Sequence, residues 1–228
     1  MIDYRPPLKD IFFALNQLSG LDEICSFPAF EESDPTFVAD VLTEAGKLTA
    51  EVIAPLNALS DKQGARLTDE GVITTPGFPD AYKKYSESGM GSAHLDPEWG
   101  GGGMPYVVGT AIAEMVASAS FSFSLGVAMS EGLSEAIGAH ASDSLKERYL
   151  EKIISGEYSA AMALTEPQAG SDLGLLRTKA EPCEDGSYRI FGNKIFITFG
   201  DHDMAENIVH LVLARVPDAP DADAGACR

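Results

Sequence analysis

Apolar residues recur at helical spacing as far as about residue 157 and in alternation beyond it. Ile11, Phe12, Leu15 and Leu18 make one stripe of a short amphipathic helix over Leu8–Leu18, which Gly20 should end. Ser33-Asp34-Pro35 is a helix start, a capping residue followed by proline at the first helical position. Phe37, Val41, Leu48 and Val52 follow at helical spacing until Pro55 stops or bends the helix. A further short helix is predicted from Pro79 to Ser88, closed by Gly89. The four consecutive glycines of Asp96-Pro-Glu-Trp-Gly-Gly-Gly-Gly103 must form a loop, because regular structure there would cost too much backbone entropy. Helices then run from Pro105 through Val108, Ile112, Met115 and Val116, and from about Leu125 to Ala139. A third, capped by Ser142 or Asp143, has Ser144 and Glu147 at capping-box spacing, with Leu145, Tyr149, Ile153 and Ile154 inward and Gly156 at its end.

From Tyr158 onward the pattern is that of strands. Tyr188–Phe191 and Asn193–Thr198 read as neighbours turning at Gly192, Asp185-Gly186 marks another turn, and Asn207–Val216 is a further strand. The expected class is α+β: an N-terminal helical domain over residues 1–157, then an antiparallel β-domain over 158–228. The tail from Pro217 to Arg228 is small and acidic and reads as a loop. So few strands make a marginal sheet with open edges, so the β-domain is expected to be cut short and the chain to be one piece of a longer protein.

Composition narrows the classes. With 45% apolar residues the chain can build a sizeable core. A formal net charge of −19 speaks against nucleic acid or an anionic membrane surface as partner. Cys25, Cys183 and Cys227 are odd in number and far apart, which argues against a disulfide framework or a zinc site and for reduced thiols in a cytoplasm. No secretory leader pattern and no membrane-spanning stretch is visible. Asp201-His202-Asp203 cannot easily wrap one metal ion, and no metal is expected.

The densest chemistry lies between Met162 and Thr198. Leu164-Thr-Glu-Pro-Gln-Ala-Gly-Ser-Asp172 packs a strand end, a hydroxyl, a proline stop and a small-residue turn together, and Lys194-Ile-Phe-Ile-Thr198 follows. Singly these residues are unremarkable: Thr165 and Thr198 suit any strand, Phe196 suits any core, and Gly-Ser-Asp is a common turn. Their joint order is specific, and it resembles the acyl-CoA dehydrogenase family, whose motif there is close to L/V-T-E-P-x-A-G-S-D. Pro97-Glu-Trp-Gly-Gly, Ser144-Leu-Lys-Glu-Arg-Tyr-Leu, Ile154-Ser-Gly-Glu and Gly192-Asn-Lys-Ile-Phe-Ile-Thr also resemble family segments, so the likeness runs from about Val38 to Arg215. The first forty residues look more like the family's longer branch, which includes a dehydrogenase of 3-methylmercaptopropionyl-CoA.

The resemblance implies FAD as cofactor, an acyl-CoA thioester as substrate, an electron-transfer flavoprotein as electron acceptor, and a homodimer or homotetramer. It implies that backbone groups of Met162 and Leu164 and the hydroxyl of Thr165 meet the pyrimidine edge of the flavin. Gly170 keeps the turn slim, and Ser171 touches the thioester arm. Phe196 stands where the family commonly has tryptophan, and Ile197 leads to Thr198, which reaches the hydride-accepting nitrogen N5. The implied reaction is α,β-dehydrogenation. The family's base is a glutamate in a C-terminal helical bundle that this chain is expected to lack, so no catalytic residue is assigned here. Glu131 and Glu135 read as surface-helix carboxylates and Glu166 as structural. The other readings are an acyl-CoA oxidase or a flavin-dependent hydroxylase on the same scaffold, or an inactive binding-only piece.

Overall fold

The computed structural model describes residues 4–217. Most of the tail predicted as a loop, and Cys227, lie outside them. Helices α1 (Leu8–Phe13), α2 (Leu21–Cys25), α3 (Pro35–Leu48), α4 (Ala54–Gln63) and α5 (Phe78–Glu87) come first, with the small hairpin β1 (Arg66–Thr68) and β2 (Gly71–Ile73) between the last two. Helices α6 (Tyr106–Ala119), α7 (Phe121–His140) and α8 (Asp143–Ile154) follow. The sheet region comprises β3 (Tyr158–Ala163), β4 (Lys179–Pro182), β5 (Tyr188–Phe191) and β6 (Asn207–Val212).

Local chemistry accounts for the helix ends. The Asp34 side chain accepts from the N–H groups of Thr36 and Phe37, with Pro35 in the first turn. Gly20, Gly89 and Gly156 take the left-handed conformation at the expected boundaries. Inside the helices, two wide π-turns shift the stripes. The turn Ala14–Leu18 adds a residue after α1 and rotates Leu18 outward to 75% exposure, while Ile11 and Leu15 stay buried. On α3 the buried stripe is Val38, Leu42 and Ala45, continued by Thr49 and Ile53. Phe37, predicted inward, is 47% exposed. The second π-turn, Thr49–Ile53, lies directly before Pro55, so the chain passes into α4 with the missing N–H absorbed by a ladder already loosened there.

Helix α7 begins at Phe121, earlier than predicted, because only Ser120 in an extended conformation separates it from α6. At α8, Ser142 holds the cap position without a capping hydrogen bond from its side chain. Ser144 lies two residues past the cap, too deep for its pairing with Glu147 to form a box, and Leu145 is exposed. The first core gathers Val38, Leu42, Ile53, Tyr82, Val108, Ile112, Met115 and Phe123, with Phe78 and Tyr85 edge-on to the Phe123 ring at 5.4 and 6.2 Å. The second joins Leu133, Ile137, Leu150 and Ile153 to Ala160 of β3. The small residues of β3 let it lie close on α7, where the Ala160 N–H donates to Ser130 Oγ at 3.1 Å.

A helical first part followed by a small sheet region therefore stands as expected. The pairing differs in two respects. β4 and β5 are antiparallel, but β3 and β6 are parallel, in register from Tyr158↔Asn207 to Ala163↔Val212. The long excursion between them returns the chain to the same end of the sheet, which a parallel pair requires. Asn193–Thr198 does not pair with β5 as a strand. Gly192 passes against Thr178, where a Cβ would stand 2.2 Å from Oγ1 and 2.8 Å from the backbone Cα, and the segment beyond it runs alongside Leu164 and Thr165 instead. Strand β6 ends at Val212 because Arg215 turns to another partner. Its N–H donates to Thr178 O at 2.9 Å and its carbonyl accepts from Ala180 N at 2.8 Å.

Candidate functional site

β3 delivers Met162 and, just past its end, Leu164 and Thr165. The Glu166–Ala169 turn, closed by backbone bonds of 3.0 Å each way, then reverses the chain at Pro167. The segment from Lys194 joins this strand end directly. Ile195 N–H donates to Thr165 O at 2.9 Å, and Lys194 Nζ donates to Leu164 O at 2.9 Å. The two stretches singled out in the sequence thus form one junction. Leu164 can offer a ligand its N–H there, but its carbonyl is already taken by the Lys194 ammonium.

Phe196 and Thr198 do not share a strand face. Phe196 has φ 59°, a left-handed conformation that costs a non-glycine residue about 1 kcal/mol, and its ring is 88% exposed beside the junction. Phe199, also left-handed at φ 50°, turns its ring inward onto Gly126 of α7. Thr165, Ile197 and Thr198 are half-buried, and neither threonine hydroxyl is engaged by a protein group among the described residues. Gly170 and Ser171 are exposed. A Cβ at Gly170 would meet only open space, so the protein itself does not require glycine there.

Glu166 is the hub of the junction. It is 3% exposed and accepts from Arg177 N–H at 2.7 Å, Thr178 N–H at 3.0 Å, Lys194 Nζ at 2.9 Å and Gln168 Nε2 at 2.6 Å. Burial opposes its charge, but Thr178, Lys194 and the two backbone donors outweigh that and hold the carboxyl well below the usual carboxylate range. The Thr178 hydroxyl beside it is buried without a hydrogen bond of ordinary geometry. No sequence pattern marks Glu166 as a hub, since its donors come from segments far apart in the chain.

Asp201, His202 and Asp203 serve three different neighbours rather than one ion. Asp201 Oδ2 accepts from Val72 N–H at 3.0 Å, and Asp203 Oδ1 accepts from the N–H and hydroxyl of Thr74 at 3.0 and 2.6 Å, tying the β1–β2 hairpin to the sheet region. His202 Nδ1 accepts from Met204 N–H at 3.1 Å, which assigns its proton to Nε2, the donor to Ser159 Oγ at 2.8 Å. Burial pushes this imidazole down, in favour of the neutral form. Among the described residues no group of acidic, histidine and cysteine side chains is placed to hold a metal. The glycine loop borders a cleft of about 420 Å³ lined by His94, Trp99, Tyr106, Glu135 and Lys146.

Glu131 does not lie on a surface as its helix suggested. It points inward and accepts from Tyr85 Oη at 3.1 Å; burial pushes its carboxyl up to about 7, Tyr85 pulls the other way, and Glu135 adds to the rise. A raised acid stabilises the fold below its unfolded pKa and loses that contribution as pH climbs from the ordinary carboxylate range through about 7. Glu131→Gln should therefore leave the unfolding midpoint nearly unchanged near pH 4 and raise stability by roughly 2 kcal/mol near pH 8. Thermal melts at the two pH values check this, and a midpoint difference independent of pH would refute it.

Residues 40–157 match the family model for the acyl-CoA dehydrogenase N-terminal domain. The chain belongs to the acyl-CoA dehydrogenase family. It is 44% identical over 222 residues to 3-methylmercaptopropionyl-CoA dehydrogenase of Ruegeria pomeroyi, covering 97% of this chain and 38% of that protein. It is 36% identical to a butyryl-CoA dehydrogenase of Syntrophomonas wolfei, covering 98% of this chain and 37% of that one. Among solved structures, the Bacillus anthracis acyl-CoA dehydrogenase complexed with FAD aligns with TM-score 0.66 at 26% identity, over 81% of this chain and 29% of that one. Butyryl-CoA dehydrogenase of Megasphaera elsdenii aligns at 0.65 and 24%, over 78% and 43%, a likeness of fold. The chain thus spans less than two fifths of the length of these curated relatives. No helix among the described residues is long and apolar enough to cross a membrane.

Proposed function

We propose that this chain is the helical and flavin-holding part of an FAD-dependent acyl-CoA dehydrogenase, with a helical domain over 1–157 and the cofactor domain beginning at 158. The observation that carries the reading is the junction itself. A strand end and a crossing segment meet there, two hydroxyls have no protein partner among the described residues, and the Phe196 ring stands exposed beside them. Those residues fit a planar ring with a polar edge. Bound FAD would supply the acceptor for the hydride leaving the substrate's β-carbon. The Leu164 N–H and the Thr165 hydroxyl would bind the polar pyrimidine edge, where donors favour the charge of the reduced state. The Phe196 ring would shield one face from water, and the Thr198 hydroxyl would orient the reacting centre. Gly170 leaves room for the thioester arm and Ser171 binds it.

The base for the α-proton is read as a carboxylate outside these 228 residues. Glu166 is fully occupied as a hub and Glu131 is enclosed beside Tyr85. Of the acyl groups named by the relatives, 3-methylmercaptopropionyl is favoured by the higher identity, 44% against 36%. An electron-transfer flavoprotein as acceptor, a homodimer or homotetramer and a cytoplasmic location complete the reading. In the full-length protein, FAD titration should give a yellow stoichiometric complex, and Thr165→Val should weaken FAD about tenfold. Flavin bleaching by 3-methylmercaptopropionyl-CoA and by butyryl-CoA, compared at equal concentration, tests the acyl group. Folded protein that stays colourless through the titration would end the proposal.

A further inference from the structure

The Lys194–Glu166 pair is the most enclosed ion pair at the junction, its side chains 11% and 3% exposed. A buried pair of charges is weak evidence for stability, because desolvation consumes most of the Coulomb gain. This pair has a geometric property that an apolar pair would lack. One atom, Lys194 Nζ, reaches two oxygens on the neighbouring segment, Leu164 O and Glu166 Oε1, both at 2.9 Å. Those oxygens flank Thr165, whose own carbonyl accepts from Ile195 N–H. Residues 164, 165 and 166 are therefore gripped in succession by residues 194 and 195. On its far side Glu166 is fixed by the backbone N–H groups of Arg177 and Thr178. The grip sets how far the Leu164 N–H and the Thr165 hydroxyl stand from Phe196 and Thr198 across the junction.

We infer that Lys194 and Glu166 are positioning residues that hold the Leu164–Thr165 edge at a fixed offset from the Phe196–Thr198 segment, and thereby fix the placement of the flavin between them. The inference rests on the proposed flavin site. Neither residue needs to touch the flavin. Each acts through the backbone it anchors, and displacements near 1 Å at such a site have large consequences.

The test uses the full-length protein with FAD as the probe and reads three quantities: the FAD dissociation constant of the apoprotein, the visible circular dichroism of the bound flavin, and the denaturation midpoint. Lys194→Met alone should lose stability, since it leaves Glu166 buried without its cation. The double variant Glu166→Gln/Lys194→Met removes both charges and should regain part of the parental midpoint, the rest being lost because the Gln NH2 cannot accept from one of the two backbone N–H groups. It should still bind FAD at least tenfold more weakly and show an altered dichroism band. Lys194→Arg keeps the charge, but its longer stem and planar fork must meet the two oxygens at a different distance and angle from the ammonium. It should fold and shift the band as well. Parental affinity and an unchanged band in either folded variant would overturn the assignment alone. Parental protein with no affinity for FAD would overturn the underlying site and this inference with it.

Discussion

Glu166→Ala is expected to destabilise the folded protein by about 3–5 kcal/mol, the cost of breaking a buried pair by removing one partner. The Lys194 ammonium would remain largely enclosed with Leu164 O as its remaining acceptor among the described residues, and the N–H groups of Arg177 and Thr178 would lose theirs. The same substitution at Glu44, which pairs with Lys47 on the exposed face of α3, should have no measurable effect, because both side chains are more than half exposed. Acid should act in the same direction. A carboxyl held below its usual range contributes stability that is complete above the unfolded pKa and is lost as pH falls through the folded one. The parent should therefore lose stability in acid below the ordinary carboxylate range, and Glu166→Ala should lose less. Urea titrations of both proteins at neutral and acid pH measure this. An unchanged midpoint at neutral pH would show that water or a side-chain rearrangement satisfies the orphaned groups, and the hub would then be dispensable.

The contrast between Glu44 and Glu166 shows where the sequence could be read. Helix boundaries were legible because their causes are local: Asp34 before Pro35, and left-handed glycines at 20, 89 and 156. The inward stripe on α3 was displaced by one residue, since Phe37 and Val41 match a helical period as well as Val38 and Leu42 do. Which set turns inward depends on neighbouring helices and on the wide turns. Lys194-Ile-Phe-Ile-Thr198 reads as a strand from residue preference. In the fold, Lys194 and Ile195 spend their donors on residues 164–166, and Phe196 turns left-handed, so the face shared by Phe196 and Thr198 disappears. Parallel pairing of β3 with β6 joins segments more than forty residues apart, beyond any local pattern. At the site, the order of the two motifs was informative, and their meeting at one junction follows from it. The hub was not legible, because a glutamate within a recognised motif looks the same whether it binds a ligand, caps a turn or anchors two other segments.

Gly101→Ala should cost about 3 kcal/mol, the upper end of what overpacking a dense region does, while Gly100→Ala should cost about 1 kcal/mol. The two neighbours separate two reasons for glycine. At Gly101 a Cβ would stand 2.2 Å from Leu95 O and 2.3 Å from Leu95 C, and at Gly102 another would stand 2.6 Å from Ala93 O. These are backbone atoms, so no rotamer change relieves the clash. The loop is closed on the preceding segment by Gly102 N–H to Ser92 O at 2.8 Å, Gly103 N–H to Leu95 O at 3.0 Å and Met104 N–H to Ala93 O at 2.9 Å, and all three would have to lengthen. At Gly100 a Cβ would meet nothing within 4 Å, and only the left-handed φ of 92° penalises a side chain. The glycine run is thus a place where two stretches of backbone lie against each other, and flexibility is not its purpose. Because the loop leads into Pro105 and α6 and borders the cleft beside α7 and α8, loosening it should also raise the rate of amide exchange at Met104. Denaturation midpoints of the two variants, with hydrogen exchange at Met104, decide the matter. Equal small losses at both positions would mean that the run serves only turn conformation and that the close approach of the two backbones carries no weight.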